Sequence, residues 1–503
     1  MRSPHIKQKL HTHHLQRSSI LAVAAFFLSA IYGISLGLSI SPLVLIAAPV
    51  ALVVGVIALA KPEYAAAVLL VVEWGFISDI LVNIHGAPSI SKALVALLLC
   101  VLLFHRFSRQ RVPLLYDSAI WWMLAYWLVT CLGLWYAPDP NRTLPLVIDV
   151  AKQIIMVVVL VNLLKTIHSF KVAMWLLLAV GALLGTLTVY QEVTQSYNSD
   201  FGGLARMEIG QISEDLQDRP RAAGTTGSPL AYGQQLVVLI PLGLWAMLQS
   251  KSPTPQLAAA YALAAIVAGV GLSFSRSIYI AAAVVLVAYV LHLRLSPRYL
   301  LLLVPLMGAL LWVAPPEFTA RVATLESLLP AEGNEGVRSE ASFNRRSVEM
   351  LMAVMMFVDH PVAGVGGGNY PELYPEYIRA TGSPVPDEER TPHSFYLEVA
   401  AEHGIIGFLA WSGILLITWE RLRAAERRFS TAGNQLMAEL AVALRIGFLG
   451  YLATAVFYHG AYPQFLWLQV GMALALAAIA RRSSRALPGE RNPITTSTAF
   501  TTR

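Results

Sequence analysis

The sequence predicts an all-α, polytopic integral membrane protein with about 12–14 transmembrane helices and a large extracytoplasmic helical loop. Three observations carry this. Of 503 residues, 56% are of apolar type and the mean hydropathy is +0.60. Only 13% are charged, where soluble domains carry roughly 25%. Apolar runs of span length alternate with short basic loops along the chain, the pattern of a multi-pass protein.

In chain order, residues 1–19 are basic and lack apolar periodicity, and read as a cytoplasmic tail. The cluster His11, His13 and His14 fits a solvated tail better than a metal site. Fourteen spans follow, at 20–38, 43–60, 64–84, 90–104, 118–136, 144–164, 170–190, 229–249, 257–275, 277–293, 299–314, 394–419, 440–459 and 464–480. Residues 64–84 contain Glu73 and Asp79, so a broken or re-entrant segment is expected there. Residues 481–503 form a second cytoplasmic tail. Cys100 and Cys131 both lie in apolar runs, which speaks against a disulfide framework or a cysteine metal site.

Orientation follows from the basic residues. With the N-terminus inside, the inner loops 105–111, 165–171, 292–298, 420–428 and 481–485 are each rich in Lys and Arg. This dispersal also argues against nucleic acid as a partner. The outer segments include 191–228 and 315–393, and the latter has twelve acidic residues, six Arg and no Lys. Long loops of this kind usually carry function. Between the N-terminal helices of 20–190 and the C-terminal helices of 426–480, residues 191–425 form the expected core.

Within that core, Thr391 to Gly407 reads TPHSFYLEVAAEHGIIG. Thr391 as N-cap and Pro392 at the first helical position predict that His393 lies in the opening turn of a membrane helix. At about 100° per residue, Tyr396, Leu397, Ala400, Gly404 and Gly407 share its face and Glu402 lies opposite. Small residues there admit a close neighbour. A histidine merely capping a packing helix is the plainer account of the same residues.

Arg276 stands at a bend between two spans joined by almost no loop, where a charge is costly unless it meets an anion or a watery cavity. Snorkelling to lipid headgroups is the alternative. Arg221 and Arg219 precede the span beginning near Pro229, and Arg345 and Arg346 open a helical stretch in the large loop. The Met-rich continuation of that stretch, from Met350 to Phe357, suggests a helix along the membrane surface. Gly364, Gly366, Gly367 and Gly368 lack a following Lys-Ser/Thr and read as a tight turn with a backbone anion nest. The run Asp387, Glu388, Glu389 reads as a solvated face. Arg forks around a neutral imidazole suit a pyrophosphate leaving group and an attacking hydroxyl, without a metal or other cofactor.

These segments resemble the O-antigen ligases and their polymerase relatives. HSFYLEVAAEHGIIG is similar to the family's His-anchored motif, SFSRSIY to its Ser-Arg signature, and RAAGTTGSPLAYG to its Arg-Gly-Pro segment. RRSVEMLMAVMMFVDHPVAGVGGGNY resembles the stretch before the His. The resemblance covers roughly residues 205–425, in order and on one side. It implies a metal-independent glycosyltransferase of the bacterial inner membrane, with both termini cytoplasmic and the active site extracytoplasmic. The donor implied is a glycan on undecaprenyl diphosphate, and the acceptor a glycan or a lipid A core sugar. By position, Arg221 and Arg276 hold the diphosphate, Arg345 or Arg346 assist, and His393 activates the hydroxyl, with Glu402 and Tyr396 supporting. Ser394 stands where the family often has Asn, and fourteen spans exceed its usual dozen or so. Protein O-glycosylation on the same scaffold and a polysaccharide flippase are the competing readings. A flippase predicts paired charges at mid-membrane depth in repeated broken helices, and no sequence repeat is evident.

Overall fold

Proline stands at one of the first two positions of six of the described helices, and a side-chain cap opens three. The computed structural model describes residues 55–107, 116–208, 220–293, 341–382, 384–460 and 464–485. The expected spans 20–38 and 299–314, most of 43–60, the first tail, residues 486–503 of the second tail and Arg219 lie outside them.

The first helices, α1 (Pro62–Trp74) and α2 (Ile77–Asn83), are one apolar segment bent by 56°. The break falls at Gly75 and at Phe76, whose φ is +54°, so the broken span expected around Glu73 and Asp79 is present. Then come α3 (Ile90–Phe107), α4 (Ala119–Tyr136), α5 (Pro140–Leu163) and α6 (Ile167–Thr194). Asp139 caps α5 by accepting from Asn141 N, and Thr166 caps α6 by accepting from Ser169 N. A short antiparallel hairpin follows, β1 (Arg206–Glu208) with β2 (Arg221–Gly224).

The span at 229–249 is two helices, α7 (Pro229–Val237) and α8 (Ile240–Gln249). Pro241, which lacks an N–H, sits just past the break. Helices α9 (Pro253–Leu272) and α10 (Arg276–Leu293) complete the middle of the chain. Beyond them lie α11 (Ala341–Asp359), α12 (Tyr370–Ala380), α13 (Phe395–Thr431), α14 (Gln435–Ala455) and α15 (Gln464–Arg485). Among the described residues, nine helices are long and apolar enough to cross a membrane, or ten with the bent pair counted as one. This is an all-α polytopic membrane protein.

Two layers of packing matter for function. The large cluster joins α1, α5, α6, α13, α14 and α15, with α15 buried along almost its whole length. A smaller cluster joins Met352 and Met356 of α11 to Tyr370, Tyr374 and Ile378 of α12 and Ala401 of α13. The Met-rich stretch therefore packs onto protein through these two residues.

The end of the bundle away from His393 is clamped by ion pairs. Asp117 takes Arg421 at 3.0 Å and Arg481 at 3.1 Å, and His292 meets Glu439 at 2.8 Å. Helix α13 carries Arg421 on through the expected stop at residue 419, because its charged continuation finds partners there.

Where α6 crosses α9 the backbones touch. A Cβ at Gly185 would lie 2.1 Å from the Ala265 carbonyl oxygen. Gly185→Ala is expected to force the helices apart and cost about 1–3 kcal/mol, seen as a lower thermal midpoint in detergent. An unchanged midpoint would contradict this packing.

Candidate active site

The site is assembled at one end of the bundle from four separate stretches. Arg221 opens β2 opposite Glu208, which it pairs at 3.4 Å, and its Nε donates to the Ser273 carbonyl at 3.2 Å. That bond ties the hairpin to the α9–α10 bend, where Phe274 has φ +46° and Arg276 begins α10. Arg345 and Arg346 lie on the first turns of α11. His393 precedes α13.

The charges of these stretches meet. Arg346 feels Arg221, Arg276 and Arg345, and burial first, then these like charges, pull its pKa below the ordinary guanidinium value. Its Nε is buried without a hydrogen-bond partner among the described residues. Arg221 is likewise pushed down by burial, with Glu208 opposing. Arg390 joins from the segment before His393, 3.7 Å from Glu349 and 3.5 Å from Glu388. Five guanidinium groups thus gather around two carboxylates, Glu208 and Glu349, with Glu388 at the rim. An excess of this kind is a standing site for an anion.

His393 is not in the first helical turn. Helix α13 starts at Phe395 with Ser394 as cap, and His393 sits outside it with φ +32°. The expectation from Thr391 and Pro392 is therefore corrected by three residues. The ring is held by side chains instead of a helix terminus. Nε2 lies 3.2 Å from Glu349 Oε2, and the ring is edge-on to His459 at 6.2 Å. A carboxylate so near favours the imidazolium, yet burial and then Arg346, His459, Arg345 and Arg390 push the His393 pKa down to about 3. The second influence wins because burial leads it, and burial also raises the Glu349 pKa against its three arginine neighbours, weakening that carboxylate's pull on the ring. His459 is pushed down to about 4 by burial. The Glu349 contact is electrostatic and does not fix the tautomer, since neither Glu349 oxygen accepts a hydrogen bond among the described residues. Nδ1 has no partner among the described residues.

The loops that carry these groups are anchored by two buried carboxylates one turn apart on α13. Glu398 accepts from Gly460 N, beside His459. Glu402 accepts from Gly368 N at 2.8 Å and Tyr370 N at 3.1 Å. The glycine run does form a nest, with Gly364, Gly366 and Gly368 all at positive φ. However, Glu402 fills it, so the nest faces no external anion. Helix α13 itself breaks at Gly404 (φ 59°, ψ −166°), where a Cβ would strike the Val362 carbonyl at 2.4 Å. That break overturns the continuous face drawn from Tyr396 to Gly407, and Glu402 turns out to be part of the site's frame.

The 364–370 loop is also pinned to the α4–α5 turn. Asn369 receives Asp139 N at 2.8 Å and donates to Thr143 Oγ1 at 2.9 Å. The acidic run is exposed, as expected of a solvated face, and Glu389 in addition binds Arg142 at 2.6 Å. Tyr396 points away, its hydroxyl donating to the Leu452 carbonyl at 3.0 Å. Glu349, Arg390 and His459 did not stand out in the sequence. Only Glu349 left a signal, three and four residues after the Arg pair on one helix face. Among the described residues, no group of three His, Cys, Asp or Glu is placed to hold a metal.

Comparison with known proteins places a family on part of this architecture. Residues 259–412 match the family model described as O-antigen ligase. The matched segment contains Arg276, Arg345, Arg346, Glu349, His393 and Glu402, while Arg221 and His459 lie outside it. No curated protein matches the chain.

Two outcomes follow for the site. Because its surroundings oppose charge, the His393 ring is expected to stay neutral between pH 5 and 8. Labelled-histidine NMR should then show no titration of His393 there, where an ordinary ring would pass its midpoint near 6.5. Glu402→Gln leaves one buried N–H unpaired, at a cost of about 1–3 kcal/mol. Hydrogen exchange at Gly368 and Tyr370 should speed up at least roughly tenfold; unchanged exchange would refute the anchoring role.

Proposed function

On the premise that residues 259–412 form an O-antigen ligase-type domain of a membrane glycosyltransferase, we propose that this chain moves a glycan from undecaprenyl diphosphate to an acceptor hydroxyl. The observation that carries this is the convergence of Arg221, Arg276, Arg345 and Arg346 beside the neutral His393. The reaction runs at the outer face of the bacterial inner membrane, with both termini cytoplasmic. The basic loops at 105–111, 165–171 and 420–428 support that orientation.

In this mechanism the guanidinium groups bind the diphosphate through paired N–H donors. His393 accepts the proton of the acceptor hydroxyl as its oxygen attacks the anomeric carbon. The bond from that carbon to the diphosphate breaks, and undecaprenyl diphosphate leaves with the electron pair. Its growing charge is met by arginines already in place, so little reorganisation is needed. The configuration at the anomeric carbon inverts. Glu349 orients the His393 ring and supports the charge that forms on it. A lipid A core sugar and a second lipid-linked glycan both present the hydroxyl this chemistry requires.

Reconstitution with lipid-linked glycan and an acceptor tests the proposal. Arg276→Ala and His393→Ala are expected to lose transfer by about 10²–10⁴-fold while remaining folded. Normal transfer by both variants, with glycan translocation failing, would instead indicate a transporter.

A further inference from the structure

We propose that the cavity between the broken α1–α2 segment and the β-hairpin is a subsite for one sugar ring of a glycan substrate. This rests on the glycosyltransferase reading above and adds a place where the glycan itself is held. The cavity has a volume of about 330 Å³, at the lower end of the range for small-ligand pockets.

Its lining fits a neutral polyol. Asp79, Asn83, Arg206, Thr225, Thr226 and Gln464 face it. One carboxylate and one guanidinium offset each other, so nothing there favours an anion over a neutral ligand. Amides, hydroxyls and the ion-forming pair supply both donors and acceptors, as sugar hydroxyls demand. Ile80 and Ile84 add an apolar flank for a ring's C–H face. The diphosphate end of the same substrate has its own place on the arginines.

The walls are built, not incidental. Asp79 and Asn83 are one turn apart on α2 and share a face. The break before α2 frees the Trp74 carbonyl, which buried Gln235 Nε2 satisfies. The other end of that amide accepts from Thr225 Oγ1 at 3.4 Å. One side chain therefore locks the re-entrant wall to the hairpin wall. His85 Nε2 donates to the Gly202 carbonyl at 3.0 Å and fixes the far end of α2. Arg206 donates to the Thr225 carbonyl and keeps a buried Nε with no partner among the described residues.

The hairpin also links the two places. Strand β2 runs from Arg221, in the cation cluster, to Gly224 beside Thr225, about 13 Å at ~3.3 Å per residue. A glycan whose reacting end lies at the arginines can extend to this cavity.

Saturation-transfer NMR on the full-length protein in nanodiscs tests the subsite. The probe is the host's oligosaccharide freed from its lipid by mild acid, and so without diphosphate. Wild type should saturate its sugar protons, and Asp79→Asn and Asn83→Ala should each weaken binding at least roughly tenfold, with thermal midpoints confirming folding. In transfer assays the substrate whose KM rises identifies the source, lipid-linked donor or acceptor. No saturation with wild type, or equal affinity in both variants, would overturn the subsite. Absence of any transfer by wild type would count against the enzymatic reading, and the binding result would still decide the cavity.

Discussion

Mutual repulsion among partly buried guanidinium groups is the constraint around which this molecule is organised. Arg346 is pressed first by burial and then by Arg221, Arg276 and Arg345, the last of them exposed, an arrangement that opposes folding unless other contacts hold it. The protein spreads that cost over four stretches, each fixed by bonds of its own. Arg221 is tied to Ser273 and Glu208, and Arg390 to Glu349. What remains is a local excess of positive charge suited to an anion.

The same electrostatics set the state of His393. An imidazole surrounded by cations cannot easily take a proton at rest, so it waits in the neutral form. In the proposed reaction an anionic diphosphate would offset the arginines and make the ring a better base, coupling proton removal to donor binding. Glu398 and Glu402 hold the two loops that flank this ring, and the break at Gly404 lets the 360–370 segment reach them. At the opposite end of the bundle, Asp117 ties α13 to α15 through Arg421 and Arg481.

Much of the fold was legible because apolar length and basic loops report directly on membrane spans. Eleven helical segments, from the bent pair α1–α2 to α15, lie where hydropathy places them. The arginines were legible too, since a charge at a tight bend or a span boundary is expensive enough to stand out. Local detail was harder. Thr391 and Pro392 imitate a helix start, yet the chain turns through His393 at positive φ before Ser394 takes the cap. The glycine run signals an anion nest, but the sequence cannot say that Glu402, more than thirty residues later, fills it. Glu389 is exposed as expected, but its pairing with Arg142, 247 residues earlier in another helix, left no local signal. Such pairings come from tertiary contact alone.

Discrimination between diphosphate and monophosphate tests the central claim most directly. An isoprenoid diphosphate and the matching monophosphate would be compared by ligand-induced thermal stabilisation of wild type and Arg346→Gln. Several guanidinium groups around one cavity predict much stronger stabilisation by the diphosphate, largely lost in the variant. Equal stabilisation by the two ligands, or an effect that survives in Arg346→Gln, would contradict the account.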